Sequence, residues 1–274
     1  MAAHDVQQNQ ILPPEIERTI AERVYLDHPT SALTLLLVAK RFNIWLEPLI
    51  YRVFCLSSLR TYPSVYLTSM GSENASITSS NNLKPPPNSH LLNRFGHHTQ
   101  SILFERVPVD HIVYILQHTP NISSLALWSI RGVLLALLPT LSSLPNLSTL
   151  SFDPSCFFMA YSEDLSIPFD LPLFRNIEEL EIVNITPSFV KWQKLAEMPK
   201  LQRLALAGRA SDELLDCILD SCSHMESLIV YTLDEIPSTL TRGSGGTVSV
   251  LKLGTNLVGG WEQKMRERIY QCLG

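Results

Sequence analysis

From residue 99 onward the apolar side chains return in one arrangement, apolar-x-x-apolar-x-apolar. It occurs at Ile122/Leu125/Leu127, Leu147/Leu150/Phe152, Ile177/Leu180/Ile182, Leu201/Leu204/Leu206, Met225/Leu228/Val230 and Val248/Leu251/Leu253. Successive first members, Ile122, Leu147, Ile177, Leu201, Met225 and Val248, follow one another at about two dozen positions, with one longer step between Leu147 and Ile177. Thr99/Ile102/Phe104, with a polar leader, lies one such interval before the first of these. The last two members of each triplet are separated by a single residue, which is the side-chain period of a strand. Leu125 and Leu127 therefore share a face, while Ser124, Ala126 and Trp128 take the other. One strand with two inward apolar residues cannot fold alone. Stacked in parallel, such strands bury each inward pair against the next, at ~1.5–3 kcal/mol per fully buried aliphatic side chain. Leu56 precedes Phe104 by two of these intervals, which predicts an irregular first strand near Leu56.

The segments between the triplets read as helices. "DHIVYILQHTP" puts Ile112, Ile115 and Leu116 on one side and closes at Pro120. "SDELLDCILDSC" has Ser211 at the N-cap, Asp212 and Glu213 in the first turn, and Leu214, Leu215, Ile218 and Leu219 inward. "PSFVKWQKLAEMP" offers Phe189, Trp192, Leu195 and Ala196, and "WEQKMRERIYQCL" a stripe of Trp261, Met265, Ile269 and Cys272. The last segment is expected to cap the end of the stack. Alternating strands and helices predict an α/β solenoid over 99–274, with a parallel sheet on its concave side and helices on its convex side.

The amino-terminal part has a different rhythm. A helix is expected after Pro13-Pro14, with Glu15 and Glu17 at its positive end and Ile16, Ile20 and Val24 in one stripe. "DHPTSA" breaks it, and a second helix is expected to run through "SALTLLLVAKRFNIWLEP" as far as Glu47, before Pro48. The stretch 35–54 is strongly apolar but carries Lys40, Arg41, Glu47 and Arg52, which excludes a membrane span. Between the modules, 55–98 reads as a linker with an irregular first strand, and its Ser-, Asn- and Pro-rich part, 61–93, as a flexible insertion.

Two resemblances follow from these residues. The triplets, several introduced by "PNI", "PNL" or "PKL", resemble leucine-rich repeats, whose period is about 20–29 residues. They depart from that family in having no Asn or Cys after the strands. Residues 11–54, with Leu12-Pro13-x-Glu15-Ile16 and then Leu36-x-Val38-Ala39-Lys40-Arg41-Phe42 and Trp45, resemble an F-box. Ala39 stands where that family usually has Cys or Ser. The combination is similar to F-box-like proteins of fungi that carry leucine-rich repeats. The resemblance implies a substrate-recognition adaptor of a cullin–RING (SCF-type) ubiquitin ligase. Leu12, Pro13, Ile16, Ile20, Leu36 and Val38 would then dock the ligase's adaptor subunit, while the repeats bind a target protein. The alternative is a leucine-rich-repeat interaction scaffold without a ligase, its leading helices serving as a cap on the first repeat.

Composition narrows the classes. Apolar residues make up 45% and charged residues 17%, a balance that builds a core. A net charge of −5 with no Lys/Arg cluster argues against nucleic acid as partner. No apolar run approaches a bilayer span, and the polar opening "MAAHDVQQNQ" contains no signal-peptide core. Five scattered cysteines suit a reducing compartment, so cytoplasm or nucleus is expected.

The chain contains no G-x-S-x-G, Walker, H-E-x-x-H or C-x-x-C pattern. "GSGG" at 243 reads as a turn, and His97-His98 as loop residues whose side chains diverge. Cys217 and Cys222 read as structural thiols. No enzyme, metal or cofactor is expected. The expected target-binding residues are the outward ones, Trp128, Asp153, Glu179, Glu181, Arg203, Tyr231 and Lys252, with Leu103 and Glu105 beside them. Glu179 and Glu181 are expected to be solvated charges on an open sheet.

Overall fold

The computed structural model describes residues 12–56, 61–62, 89–132, 134–154, 167, 169–185, 192–208, 210–232, 247–252 and 257–273. Phe189, Leu253, the "GSGG" run and most of 61–93 lie outside them, as do the side chains of Ile269 and Cys272. The chain divides into two compact units, residues 1–51 and 52–274. The division precedes residue 54 because the next residues belong to a sheet.

The first unit is three helices, α1 (Pro14–Asp27), α2 (Pro29–Val38) and α3 (Lys40–Ile50). Pro14 at the start of α1 and Pro29 at the start of α2 donate no N–H where none is needed. The expected break at "DHPTSA" shrinks to His28. The expected single second helix is instead two, separated at Ala39, which is extended (φ −155, ψ 147). Alanine is the best helix former, so packing and not local preference imposes this bend. α3 also runs through Pro48, where termination was expected. The proline forfeits one backbone hydrogen bond, against the burial of Leu46, Leu49 and Ile50. Ala21 and Tyr25 form the buried side of α1, and the Tyr25 hydroxyl donates to the Leu49 carbonyl at 3.0 Å. Arg41 of α3 pairs with Glu17 of α1 at 2.8 Å.

The second unit is α/β. Eight strands run parallel: β1 (Val53–Leu56), then β3 (Ser101–Glu105), β4 (Ser124–Trp128), β5 (Thr149–Phe152), β6 (Glu179–Ile185), β7 (Arg203–Gly208), β8 (Ser227–Thr232) and β9 (Thr247–Lys252). A short strand, β2 (Thr61–Tyr62), pairs antiparallel to β1 at one edge. Each parallel strand lies beside its successor. β1 adjoins β3 directly, so the double interval between Leu56 and Phe104 inserts no parallel strand between them.

The register places Phe54, Ile102, Leu125, Leu150, Leu180, Leu204, Leu228 and Val248 in one row across the sheet. Leu56, Phe104, Leu127, Phe152, Ile182, Leu206, Val230 and Val250 form a second row on the same face. A repeated backbone device holds this alignment. The carbonyls of Gln100, Ser123, Ser148, Glu178 and Gln202 each accept two consecutive N–H groups at the entry of the next strand, at 2.8–3.2 Å. A slip of one residue would break these pairs and turn both rows to the opposite face. The last triplet is the exception. Val248 aligns with Leu228 and Val250 with Val230, so Leu251 faces the other side and is 45% exposed.

Over these rows pack the return segments, including α4 (Ser89–Phe95), α5 (Val109–Gln117), α6 (Leu138–Ser142) and α7 (Asp212–Ser221). Ser211 caps α7 as expected, its hydroxyl accepting the Leu214 N–H at 3.3 Å. The segment around Trp192 is a 3-10 helix (Trp192–Glu197) and not an α-helix. Trp192 and Leu195, at the three-residue period of that helix, and Met198 just after it are buried, whereas Ala196 is exposed. The final helix, α8 (Leu257–Leu273), does not cap the end of the stack. Trp261 and Met265 are buried against Val53, Cys55, Leu103, Ala126, Trp128, Val183 and Ala207. These residues lie on the face opposite the two apolar rows. The sheet is therefore packed on both faces, as suits parallel strands.

Candidate interaction surfaces

The residues expected to meet a partner fall in two places. The first is the apolar surface of the three-helix unit. Burial of Ala21 and Tyr25 turns the Ile16/Ile20 stripe of α1 outward. Leu12, Ile16 and Ile20 are each 49% exposed, and Val38 at the end of α2 is 65% exposed. Pro13 is exposed and Leu36 half-buried. Sequence reasoning missed Leu37, 87% exposed, and Ile44, 71% exposed. For Leu37 the signal was present in "LTLLLV", part of a helix that is apolar all round and that a unit of this size cannot bury on every side.

The second place is the sheet face toward which the expected target-binding residues point. Here the expectation of an open array is corrected, because α8 lies on it. Trp128 is only 7% exposed, and its indole N–H donates to the Ser151 hydroxyl at 2.8 Å. Asp153 is buried, its carboxylate accepting from the Asn184 amide at 2.8 Å. Asn184 sits at a bulge of β6 with φ +56, a backbone region that asparagine tolerates better than most residues. Leu103 is buried too. Glu105 is half-buried, and its Oε2 has no hydrogen-bond partner among the described residues.

Glu179 is not a free solvated charge. It accepts from Arg203 at 3.0 Å and from Arg268 of α8, whose guanidinium also donates to the Thr149 hydroxyl at 3.2 Å. Arg203 remains exposed. Lys252 has the register parity of Val248 and Val250, but it is the last residue of β9, exposed, and it lines the space under α8 on the face where it was expected.

Between α8 and the strands lies a cavity of about 400 Å3. Val183 and Ala207 contribute apolar surface, Trp128, Tyr231 and Trp261 aromatic surface, and Glu181, Lys252, Lys264 and Glu267 charge. Burial raises the Tyr231 hydroxyl pKa above its usual value, and the Glu181 carboxylate raises it further. At neutral pH Tyr231 is thus a hydrogen-bond donor.

Elsewhere, burial and then the neighbouring Cys217 push the Cys222 thiol up to about 11, so it is protonated at neutral pH. The His97 and His98 rings do not diverge. Both lie in a 3-10 turn, and their centroids are 3.7 Å apart. Among the described residues no group of three or more His, Cys, Asp or Glu is placed to hold a metal ion. No helix among them is long and apolar enough to cross a membrane. Compared with known protein families and curated proteins, the chain matches no family model and no curated sequence.

Proposed function

We propose that the protein is an F-box-like recognition subunit with degenerate leucine-rich repeats, working in the cytoplasm or nucleus without covalent chemistry of its own. Its three-helix unit docks the adaptor subunit of a cullin–RING (SCF-type) ubiquitin ligase, and its sheet unit, a strand–helix solenoid in this reading, binds a target protein. The observation that carries the reading is the exposure of Leu12, Ile16, Ile20 and Val38 at the positions of the F-box-like motif. Apolar side chains grouped on a small helical unit and left in water mark a partner surface. On the sheet unit, Glu181, Arg203, Tyr231 and Lys252 supply the target-binding groups, and Trp128 and Asp153 shape that face from beneath.

Co-purification tests the docking half. The wild type should retain the ligase's adaptor subunit, and Ile16→Asp should abolish retention. Ile16 is half exposed in the first turn of α1, where an added carboxylate is favourable to the helix dipole, so the circular dichroism should not change. If the wild type never retains the adaptor, or if Ile16→Asp unfolds the chain, the protein is a scaffold without a ligase.

A further inference from the structure

The cavity beneath α8 has the attributes of a built site. Its volume of about 400 Å3 falls within the ~300–1,000 Å3 typical of small-molecule sites. Three of its walls are aromatic, from two strands and a helix far apart in sequence. Neither Lys252 nor Lys264 has an ion-pair or hydrogen-bond partner among the described residues. Of the two carboxylates at the rim, Glu267 accepts from the Gln263 amide at 2.9 Å, while Glu181, like the lysines, has no ion-pair or hydrogen-bond partner among the described residues. Three donors thus remain uncommitted, the two ammonium groups and the Tyr231 hydroxyl.

Gly260 adds an independent observation. It lies in the first turns of α8 and lines the cavity, and a Cβ there would meet no atom within 4 Å. Glycine weakens a helix relative to alanine, and here no close approach of the protein's own atoms requires it. Gly260 is exposed at the cavity wall, so a larger side chain there takes up cavity space.

We propose that this cavity binds a small, flat, aromatic anion: an aromatic ring system held between Trp128, Tyr231 and Trp261, with its acidic group on Lys252 and Lys264. The site is independent of any docking by the amino-terminal helices, and it shares Glu181, Tyr231 and Lys252 with the proposed target-binding face. Because its walls come from both α8 and the strands, ligand binding also fixes α8 on the sheet.

The test uses the full chain and two fluorescent probes with the same rings, 8-anilinonaphthalene-1-sulfonate and its neutral counterpart N-phenyl-1-naphthylamine. The wild type should give saturable one-site enhancement with the sulfonate. Gly260→Leu, which fills the space while improving helix propensity, should weaken that binding at least tenfold without lowering Tm. Lys264→Gln and Lys252→Gln should each weaken the sulfonate about tenfold and leave the neutral probe unchanged. The proposal is overturned if the sulfonate does not bind, if Gly260→Leu binds it as the wild type does, or if the lysine changes weaken both probes equally. Sulfonate binding that survives Gly260→Leu but is lost on Ile16→Asp would assign the probe to the exposed helical stripe.

Discussion

Trp261→Ala is the perturbation that bears most directly on the seating of α8. Trp261 is 4% exposed and faces a cluster formed by outward residues of β1, β3, β4, β6 and β7. A buried indole removes roughly 200 Å2 from water, which at ~25 cal/mol per Å2 is about 5 kcal/mol as an upper bound. Measured costs of removing a buried aromatic side chain are ~3–5 kcal/mol. What remains to hold α8 is Met265, the half-buried Val258 and the contacts of Arg268 with Glu179 and Thr149. The two rows on the opposite face do not touch Trp261, so the loss should appear as local opening of one helix and not as unfolding of the sheet. At about 1.4 kcal/mol per decade, amide protection over 257–273 should fall by about 2–4 decades, while β4 to β7 keep theirs. Hydrogen–deuterium exchange by mass spectrometry measures both in one sample. Unchanged protection in α8, or an equal loss throughout the sheet, would refute the argument that α8 is a separately seated element on that face.

Two further outcomes are expected. Leu180→Ala, in the middle of the first buried row, should cost about 2–5 kcal/mol in denaturant unfolding, whereas Leu251→Ala, 45% exposed, should cost under about 1 kcal/mol. Equal costs would return Leu251 to the core. Stability should also fall between pH about 9 and about 11, because the Cys222 thiol, raised from its ordinary 9.0 to about 11, holds its proton in the folded state after the unfolded chain has lost it. Its contribution is full below about pH 9, lost above about 11, and should vanish in Cys222→Ala. An unchanged pH profile in that variant would mean that the thiol is not buried.

Much of the sheet was legible before folding. The near-constant spacing of the triplets located the apolar row from Ile102 to Leu228. The alternation within each triplet chose its face, since both depend only on the strand period and on the need of each strand for a neighbour. The last strand was ambiguous for the same reason. In "VSVLKL", Val248 and Val250 in one phase and Leu251 and Leu253 in the other are equally apolar, and only hydrogen bonding to β8 selects the first. Local preference also misjudged the helices: Ala39 invites a helix and Pro48 forbids one, and packing reverses both.

The largest difference concerns α8. A stripe of Trp261 and Met265 tells that a helix has one greasy side, but not which surface that side will cover. Stacking energies along the chain are local and recur from one strand to the next, so they can be read from spacing. The seat of α8 joins Trp261 and Met265 to strands as distant in the chain as β1, and no periodicity encodes it. That long-range contact buries Trp128, engages Glu179 and encloses the cavity. It thereby decides which of the outward residues remain exposed.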